Sequence, residues 1–569
     1  MPLTSRTFDQ LINFTRTSAA TFVGSNGLIQ TTPQSVNIFT YTQEFDNFAW
    51  NKTSVTVAAN STVAPDGTST ADTITAVAAA STHVIFLSQS LAGATQWTAS
   101  VYAKAGTHGF LQMFHGSNSD FFANFNLTTG VVGTKGPGVP TSTITPVGDG
   151  WYRCSMTFTP GTASAIRIAM VSSASAIFAE SWTPAGTETF FLWGAQAEIA
   201  AAPTTYTRNF GGLFPPRFDY NPVTLAPRGL LVEEQRTNLM LYSEQFDNGY
   251  WAVGGSTISA NATTAPDGTS TADKLVEDTS TGNHRVLNNT GVTVVSGATY
   301  AWTVYAKAAE RTVVQLLNNN LQGAVFDLTN GGVSGITAGF SASATAFGNG
   351  WYRLSIVGPA SSTTERLLVY LQSGGTNSYT GNGTSGAFIW GAQLEAGAFA
   401  TSYIRTVASQ VTRTADIATI AAPNFAPWYS QSQGTFVVET VTIKPTTVST
   451  SGTAIDASDG GISNRNRITF DTASVSAITT VGGVTQSAIS QNYTANAVEK
   501  LAYAFAANDF AFARNGGLVG TDTSGALPTV NQMFIGNAAG SASFLNGYMR
   551  RVTFYPTRLT NAQLQALTT

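Results

Sequence analysis

The chain carries little charge for its length. Only 10% of its 569 residues are Asp, Glu, Lys or Arg, well under the usual quarter of a soluble protein. The net charge of −4 gives no basic surface, so we expect no nucleic-acid partner. Hydrophobic residues reach an ordinary 43%, which excludes a disordered chain. Polar uncharged residues and glycine replace the missing charges, a composition typical of short strands and polar turns.

Cysteine and long apolar runs are scarce as well. Cys154 is the single cysteine, so no internal disulfide framework is possible. No apolar run approaches the roughly 18 residues of a membrane span, and we expect no membrane insertion. The first residues lack the apolar core of a signal peptide, so secretion by that route is not expected. Stability outside a cell would then depend on β-packing or on assembly into a homo-oligomer.

Two long copies of one repeat occupy most of the chain. The sequence APDGTSTAD recurs at Ala64–Asp72 and Ala265–Asp273, and VYAKA recurs at Val101–Ala105 and Val304–Ala308. GWYR and WGAQ recur in the same order, at an offset of about 200 residues, which marks tandem domains and not a solenoid. The repeat predicts five regions: an N-terminal attachment segment (1–36), copy one (37–208), a connector (209–237), copy two (238–415) and a C-terminal domain (416–569).

Each copy is predicted to be all-β. The segments before YAKA and after GWYR alternate apolar and polar residues with period two, and Gly-Asp-Gly or Gly-Asn-Gly turns precede the WYR strands. A domain of this length made of short strands and polar turns is typical of a two-sheet sandwich, and a jelly roll fits best. The fold class is therefore all-β, with two tandem sandwiches, a third C-terminal sandwich and a small module formed by the N-terminal segment and the connector.

The alternation also predicts a polar and aromatic sheet face in each copy. Aromatic rings can stack on sugar rings while amide, guanidinium and ammonium groups bond hydroxyls, so these residues are glycan-binding candidates. The alternative is that residues shared by both copies simply hold the fold, for example as an Arg153–Glu198 or Arg353–Glu395 pair. The candidates are Tyr102, Lys104, Gln112, Trp151, Arg153 and Gln196 in copy one, and Tyr305, Lys307, Gln315, Trp351, Arg353 and Gln393 in copy two.

Neither a metal centre nor a catalytic centre is indicated by the motifs. The four histidines (His83, His108, His115 and His284) have no metal-ligand spacing, and we expect them in loops or at the surface. No pair of carboxylates has the spacing that glycoside hydrolysis uses on one strand, and no nucleophile motif is present. We therefore expect no enzymatic activity.

The connector carries four prolines between Phe214 and Asn238, which disfavour a helix or a central strand. An Asn-Gly pair at Asn26 and Gly27 predicts a hairpin in the N-terminal segment. We expect copy one to be an insertion, with residues 1–34 and the connector packing together around it. Their shared core would contain Phe14, Phe22, Leu28, Phe214, Phe218, Leu230 and Leu231.

Several segments resemble known families. The NGY strand and the helix LTNAQLQAL near the C-terminus resemble a concanavalin-like lectin or laminin-G sandwich. The YAKA, GWYR and WGAQ strands resemble carbohydrate-binding-module jelly rolls. NFTRTSAATFVGSNGLIQ and PRFDYNPVTLAPRGLLVEEQRTNL resemble a module of tailed-phage and prophage fibre, spike and tail proteins, in which the two segments usually follow one another closely. Copy one separates them in this chain.

These resemblances imply a phage virion fibre or spike, on the tail or the head, that recognises host surface glycans without cleaving them. The expected partners are other virion proteins, host polysaccharide and further copies of the chain, with a trimer favoured. A virion-surface location follows. A purely structural decoration protein and a glycan depolymerase are the alternatives. Both sandwich families often bind structural calcium, for which Asp46 and Asp247 would be weak ligands, although turn-forming aspartates that bond their own backbone are the favoured explanation.

Overall fold

The computed structural model describes residues 11–33, 36–116, 118–209, 211, 214–539 and 543–569. Within these, the chain divides into two compact units. The first contains residues 11–17 and 33–215, and the second contains residues 18–32 and 216–569. The architecture is all-β and made of sandwiches, as predicted.

The N-terminal segment contributes three short strands. Its stretch TFDQLINF (7–14) is also compatible with a helical turn, and much of this stretch lies outside the described residues. The strands are β1 (Asn13–Thr15), β2 (Thr21–Val23) and β3 (Ile29–Thr31). β2 and β3 form the expected hairpin, with Phe22 opposite Gln30. Gly27 closes the turn with a φ of 78°, a conformation that glycine adopts without strain.

Copy one forms a sandwich of two six-stranded sheets. Its strands are β4 (Trp50–Thr53), β5 (Val55–Thr62), β6 (Ala71–Ala76), β7 (His83–Leu91), β8 (Trp97–Ala105), β9 (Phe110–His115), β10 (Phe122–Asn126), β11 (Val131–Lys135), β12 (Thr141–Gly148), β13 (Trp151–Phe158), β14 (Ser164–Met170) and β15 (Thr189–Glu198). The sheet orders are β11-β10-β9-β14-β7-β4 and β12-β13-β8-β15-β6-β5. Between the sheets, Val101, Cys154 and Met156 are fully buried with the other apolar members of their strands. The period-two alternation places them there.

The connector is not a bare linker, since it forms β16 (Arg217–Tyr220), β17 (Pro227–Val232) and β18 (Arg236–Asn238). β17 lies inside a sheet, between β16 and a strand of the C-terminal domain. Our expectation that prolines would keep the connector out of a sheet interior was wrong. The prolines are accommodated because Pro227 is the first residue of β17 and Pro222 lies in the loop before it.

Copy two repeats the design of copy one. Its strands are β19 (Trp251–Gly254), β20 (Ser256–Thr263), β21 (Ala272–Glu277), β22 (Thr281–Asn283), β23 (Arg285–Asn288), β24 (Val292–Thr293), β25 (Thr299–Ala308), β26 (Val313–Leu317), β27 (Gly323–Asp327), β28 (Gly332–Ser334), β29 (Ser341–Ala346), β30 (Trp351–Pro359), β31 (Thr364–Glu365), β32 (Leu368–Gln372), β33 (Ser378–Thr380), β34 (Gly386–Ala396) and β35 (Val411–Arg413). The two large sheets run β19-β23-β32-β26-β27-β28 and β20-β21-β34-β25-β30-β29. β18 pairs with β35 and so brings the two ends of the copy together.

The C-terminal domain is a third sandwich. It contains β36 (Ile417–Ile420), α1 (Ala422–Phe425), β37 (Gln433–Thr442), β38 (Gly452–Ser458), β39 (Arg465–Phe470), β40 (Ser474–Val481), β41 (Val484–Asn492), β42 (Glu499–Ala506), β43 (Asp509–Arg514), β44 (Gly520–Asp522), β45 (Gln532–Ile535), β46 (Gly547–Tyr555) and α2 (Asn561–Thr568). One sheet runs β16-β17-β46-β37-β42-β43-β44, and the other includes β36-β45-β38-β39-β40-β41. Thr560 and Gln563 are spaced as in a capping box, and they do bond each other's backbone at the start of α2.

The N-terminal hairpin packs against the connector. Val23 N donates to Asp219 Oδ1 at 2.6 Å, and Arg217 Nη1 donates to Thr21 O at 3.0 Å. A Cβ on Gly27 would lie 2.9 Å from Pro222 O. These are the contacts that an inserted copy one requires. The expected shared core differs in detail, since Phe218 is exposed and residues 11–17 belong to the unit of copy one.

A buried ion cluster anchors this junction within the second unit. Arg217 pairs with Glu233 at 2.8 Å and with Asp416, and it also donates to Ser402 Oγ at 2.8 Å. Arg413 lies 3.5 Å from Glu233. Burial alone would raise the pKa of Glu233, but Arg413 and Arg217 lower it to about 2. The cluster therefore stays charged and ties the connector to copy two and to the start of the C-terminal domain.

Candidate functional site

The predicted aromatic face of copy one is a shallow patch on the outer side of the β8 sheet. The Tyr102 ring lies edge-on to Trp193 with centroids 5.2 Å apart, and Tyr206 closes the group at 4.8 Å from Trp193. Trp151 completes the cluster. Tyr102, Lys104 and Tyr206 are half-buried, so their outer surfaces face solvent. The sequence therefore located an accessible aromatic patch here.

The matching face of copy two is covered. Tyr305, Trp351, Trp390 and Tyr403 form the same cluster, but Val23 and Ile29 of the hairpin pack onto it. Ile29 N donates to Pro266 O at 3.0 Å, and Thr21 Oγ1 donates to Tyr403 O. Only 2% of Tyr305 remains exposed, and burial raises its pKa. No ligand could stack on this ring unless the hairpin moved.

Two pairs of equivalent glycines show how the free space beside the aromatic face differs between the two copies. A Cβ on Gly268 in copy two would lie 2.8 Å from Leu28 Cδ1, and one on Gly348 would lie 3.0 Å from Pro222 O. A Cβ on either counterpart in copy one, Gly67 or Gly148, would have no atom of the described residues within 4 Å apart from those of the adjoining residues. Hairpin and connector thus occupy in copy two the space that is open in copy one.

The glutamines of the WGAQ strands face no solvent. They bind the last residues of each copy, which we call its tail (204–207 in copy one and 401–404 in copy two). Gln196 Nε2 donates to Glu198 Oε1 at 2.7 Å, and Thr207 N donates to Gln196 Oε1 at 2.8 Å. Gln393 bonds Glu395 and Ile404 in the same way, at 3.0 and 2.7 Å. Because both amides are fully buried, this pattern supports the structural alternative for Gln196 and Gln393.

The arginines of the WYR strands also bind the tails, although not through the carboxylates we expected. Arg153 Nη1 donates to Thr204 O at 2.6 Å, and Arg353 Nη1 donates to Thr401 O at 2.7 Å. The expected Arg153–Glu198 and Arg353–Glu395 pairs are therefore wrong, since each glutamate accepts from Gln and Thr instead. Each guanidinium does lie over its tyrosine ring, 5.4 Å from Tyr102 in copy one. Trp151 and Trp351 are buried and donate to Val63 O and Thr264 O.

Gln112 and Gln315 do not belong to this face. Gln112 lies on β9 and Gln315 on β26, in the opposite sheet of each sandwich. A loop covers Gln112, whose amide bonds Asn124 Oδ1, Ile177 O and Ala179 N at 2.7 to 2.9 Å. Gln315 is half-buried and accepts from Asn377 Nδ2 at 3.0 Å. Period-two alternation assigns a side chain to the inside or outside of a strand, but not to one of the two sheets.

Three histidines that we expected at the surface are buried. His83, His115 and His284 lie inside the sandwiches, and His83 and its counterpart His284 each contact two backbone oxygens. His108 stacks on Trp182, with centroids 5.4 Å apart. In the described part of the chain, no group of three or more His, Cys, Asp or Glu residues is placed to hold a metal ion.

The two copies differ in how well they fit the calcium site that we expected at Asp46 and Asp247. In copy one, Lys52 Nζ donates to the backbone oxygens of Asp46, Asn47 and Trp50 at 3.1, 2.9 and 2.9 Å. The Lys52 ammonium group thus already occupies the backbone oxygens that a calcium ion would have to bind. Burial also raises the pKa of the Asp46 carboxyl. Asp46 does not fit a calcium site for these reasons. In the loop of Asp247, Val253 stands where copy one has Lys52, so no ammonium competes there.

A large cleft lies within the second unit, beside the covered face of copy two. It measures about 1350 Å³. Copy two contributes β29, β30 with Arg353, and Tyr305 of β25; the connector contributes Asp219, Arg228 and Glu233; and the C-terminal domain contributes Val441, Tyr548 and Arg550. None of the cleft's residues from the connector or the C-terminal domain was among our candidates, because no local pattern reports a space between sandwiches.

Comparisons with known proteins support the C-terminal assignment. Residues 434–565 match a laminin-G family model described as the concanavalin A-like lectin/glucanases superfamily. No curated protein matches the chain in sequence. No helix among the described residues is long and apolar enough to cross a bilayer.

Three solved structures show distant likeness. The CBM40 domain of a Ruminococcus gnavus IT-sialidase, bound to α2,3-sialyllactose, is 15% identical with a TM-score of 0.22, covering 25% of this chain and 84% of that one. The CBM22-1–CBM22-2 tandem of Paenibacillus barcinonensis Xyn10C is 13% identical with a TM-score of 0.20, covering 64% and 98%. Domains LG4-5 of mouse laminin α1 are 11% identical with a TM-score of 0.18, covering 46% and 84%. At such values none of these proteins indicates what this chain binds.

Proposed function

We propose that the chain is a non-enzymatic virion surface protein, a phage fibre or spike, that recognises host-cell surface glycans. The observation that carries the binding role is the open patch of copy one, in which Tyr102 and Tyr206 are half-buried and rest on the buried Trp193. Rings exposed on one side can stack on a pyranose, and Lys104 at their edge can bond its hydroxyls. The concanavalin-like domain at 434–565 is a sandwich type that suits the same role.

The virion assignment rests on the two segments that resemble a phage fibre module. They lie far apart in sequence but pack together through Val23, Asp219 and Arg217, as the halves of one module would. Mounting on a tail or capsid, assembly as a homotrimer and location at the virion surface belong to this proposal. Sedimentation tests the oligomer: a monomer at micromolar concentration would count against it.

Glycan binding is tested with the full chain on an array of bacterial surface polysaccharides. We expect Tyr102→Ala to weaken binding about tenfold, because one stacked ring is lost. Lys104→Gln should weaken binding as well. The matched control is Lys307→Gln, which makes the same change on the covered face of copy two and should leave binding unchanged.

Two results would reject this assignment. Equal losses from Lys104→Gln and Lys307→Gln would show that copy one is not the binding domain. Absence of any binding would favour a purely structural decoration protein, and release of reducing sugar from a bound polysaccharide would favour a depolymerase.

A further inference from the structure

The cleft of the second unit buries its carboxylates and exposes two of its arginines. Its lining carboxylates are Asp219 and Glu233, whose side chains are only 4% and 1% exposed. Both already have partners, Asp219 through Val23 N and Arg228, and Glu233 through the buried arginines. Their negative charge is therefore compensated before any ligand arrives.

The lining cations are more accessible. The side chains of Arg228 and Arg550 are 32% and 36% exposed. Arg550 bonds Glu439 at 2.9 Å, but Glu439 does not line the cleft. Because these two guanidinium groups reach solvent while the side chains of Asp219 and Glu233 do not, an anion that enters the cleft meets guanidinium groups first.

The remaining walls suit a sugar chain. The Arg228 guanidinium lies over the Tyr548 ring at 5.4 Å and donates to its hydroxyl at 3.1 Å, which fixes both groups as one platform. The lining also includes the hydroxyl residues Ser341, Ser343 and Thr345 of β29. β29 is the edge strand of its sheet, so one side of its backbone has no partner strand.

We propose that this cleft binds an acidic polysaccharide, with ring carboxylates on Arg228 and Arg550 and a sugar face against Tyr548. Guanidinium groups bind carboxylates through paired, charge-assisted hydrogen bonds. A uronic-acid chain supplies carboxylates that these two guanidinium groups can bind, whereas the net negative charge of the protein would repel a nucleic acid. This site is separate from the copy one patch and does not rest on it.

The test is calorimetric titration of the full chain with oligogalacturonate at low salt. We expect binding that weakens as salt rises, and that falls about tenfold in Arg228→Gln and in Arg550→Gln. The matched control is Arg551→Gln, which removes the same charge next to Arg550 from a residue outside the cleft and should change binding less than about twofold. Fully methyl-esterified oligogalacturonate, which lacks the carboxylates, should bind at least about tenfold more weakly.

Four outcomes would overturn the proposal: no binding of oligogalacturonate, equal binding of the methyl ester, equal losses in Arg551→Gln, or tighter binding of single-stranded DNA of similar length. Tyr102→Ala separates this site from the copy one patch. It should leave oligogalacturonate binding intact even though it weakens binding on the polysaccharide array.

Discussion

Copy one and copy two present the same aromatic residues under opposite conditions. Tyr102 and Tyr305 occupy equivalent positions on β8 and β25, yet the first is half-buried and the second is sealed beneath the N-terminal hairpin. The accessibility of the two faces does not depend on the aromatic residues, which are the same. It depends on the N-terminal hairpin, which lies more than 200 residues before Tyr305 in the chain. Duplicated domains can thus keep one surface chemistry and still differ in whether that surface can meet a ligand.

We expect the largest effect on this difference between the copies from replacing Arg217, which anchors the hairpin. Arg217→Met leaves Glu233 and Asp416 buried without one of their two cations. We expect the second unit to lose about 3–5 kcal/mol of unfolding free energy, measured by chemical denaturation. The amides of Val23 and Ile29 should also exchange faster with deuterium.

Arg551→Met provides the control for Arg217→Met. Its side chain is exposed, and we expect a change within about 0.5 kcal/mol. Unchanged protection of the hairpin amides in Arg217→Met would mean that the other contacts of the hairpin, such as those of Val23 and Ile29, hold it in place without Arg217.

A second experiment makes one substitution in both copies. Tyr305→Ala removes a fully enclosed ring and should cost about 3–5 kcal/mol, whereas Tyr102→Ala should cost about 1–2 kcal/mol because part of its surface already meets water. In the Arg217→Met background, the cost of Tyr305→Ala should fall toward that of Tyr102→Ala. Equal costs in the wild-type background would contradict the burial difference.

The smallest effect concerns the first loop of each copy. Lys52→Val should lower local stability in copy one by about 1 kcal/mol, because three carbonyl bonds are lost, and the Trp50 amide should exchange faster. Val253→Lys should stabilise the loop of Asp247 by a similar amount. If calcium raises the melting temperature of the wild type, Val253→Lys should remove that response. A calcium response that survives Val253→Lys would place the ion elsewhere.

The sequence predicted the sandwiches because their signals are local. Alternation along VYAKA and WYR identified the core rows, and the Asn-Gly pair identified the hairpin. The pairing of Gln112 with the wrong sheet and the expected Arg153–Glu198 bridge failed for a different reason. Both depend on which strand or tail lies opposite, and this is set by contacts between residues far apart in the chain.

The same limit applies to the candidate site. The repeat correctly gathered Tyr102, Lys104, Trp151 and Arg153 onto one face. It could not show that Val23 and Ile29 would cover the equivalent face of copy two, because the sequence of a three-residue strand does not indicate which surface it packs against. Arg228 and Tyr548 were missed because they come from different predicted domains.

The way copy one is closed has a consequence for how such chains diversify. Asn209 Nδ2 donates to Asn37 O at 2.9 Å, and Asn37 Nδ2 donates to Thr207 O at 2.9 Å, so the two ends of the domain are fastened to each other. Asn238 fastens copy two by the same device, through Ala392 O and Ile404 O. A domain whose ends meet can be exchanged as a cassette by recombination, since the host needs only to accept two adjacent strands of chain. Copy one, which carries the open patch, is therefore a part of this protein that can be replaced while the second unit keeps its fold.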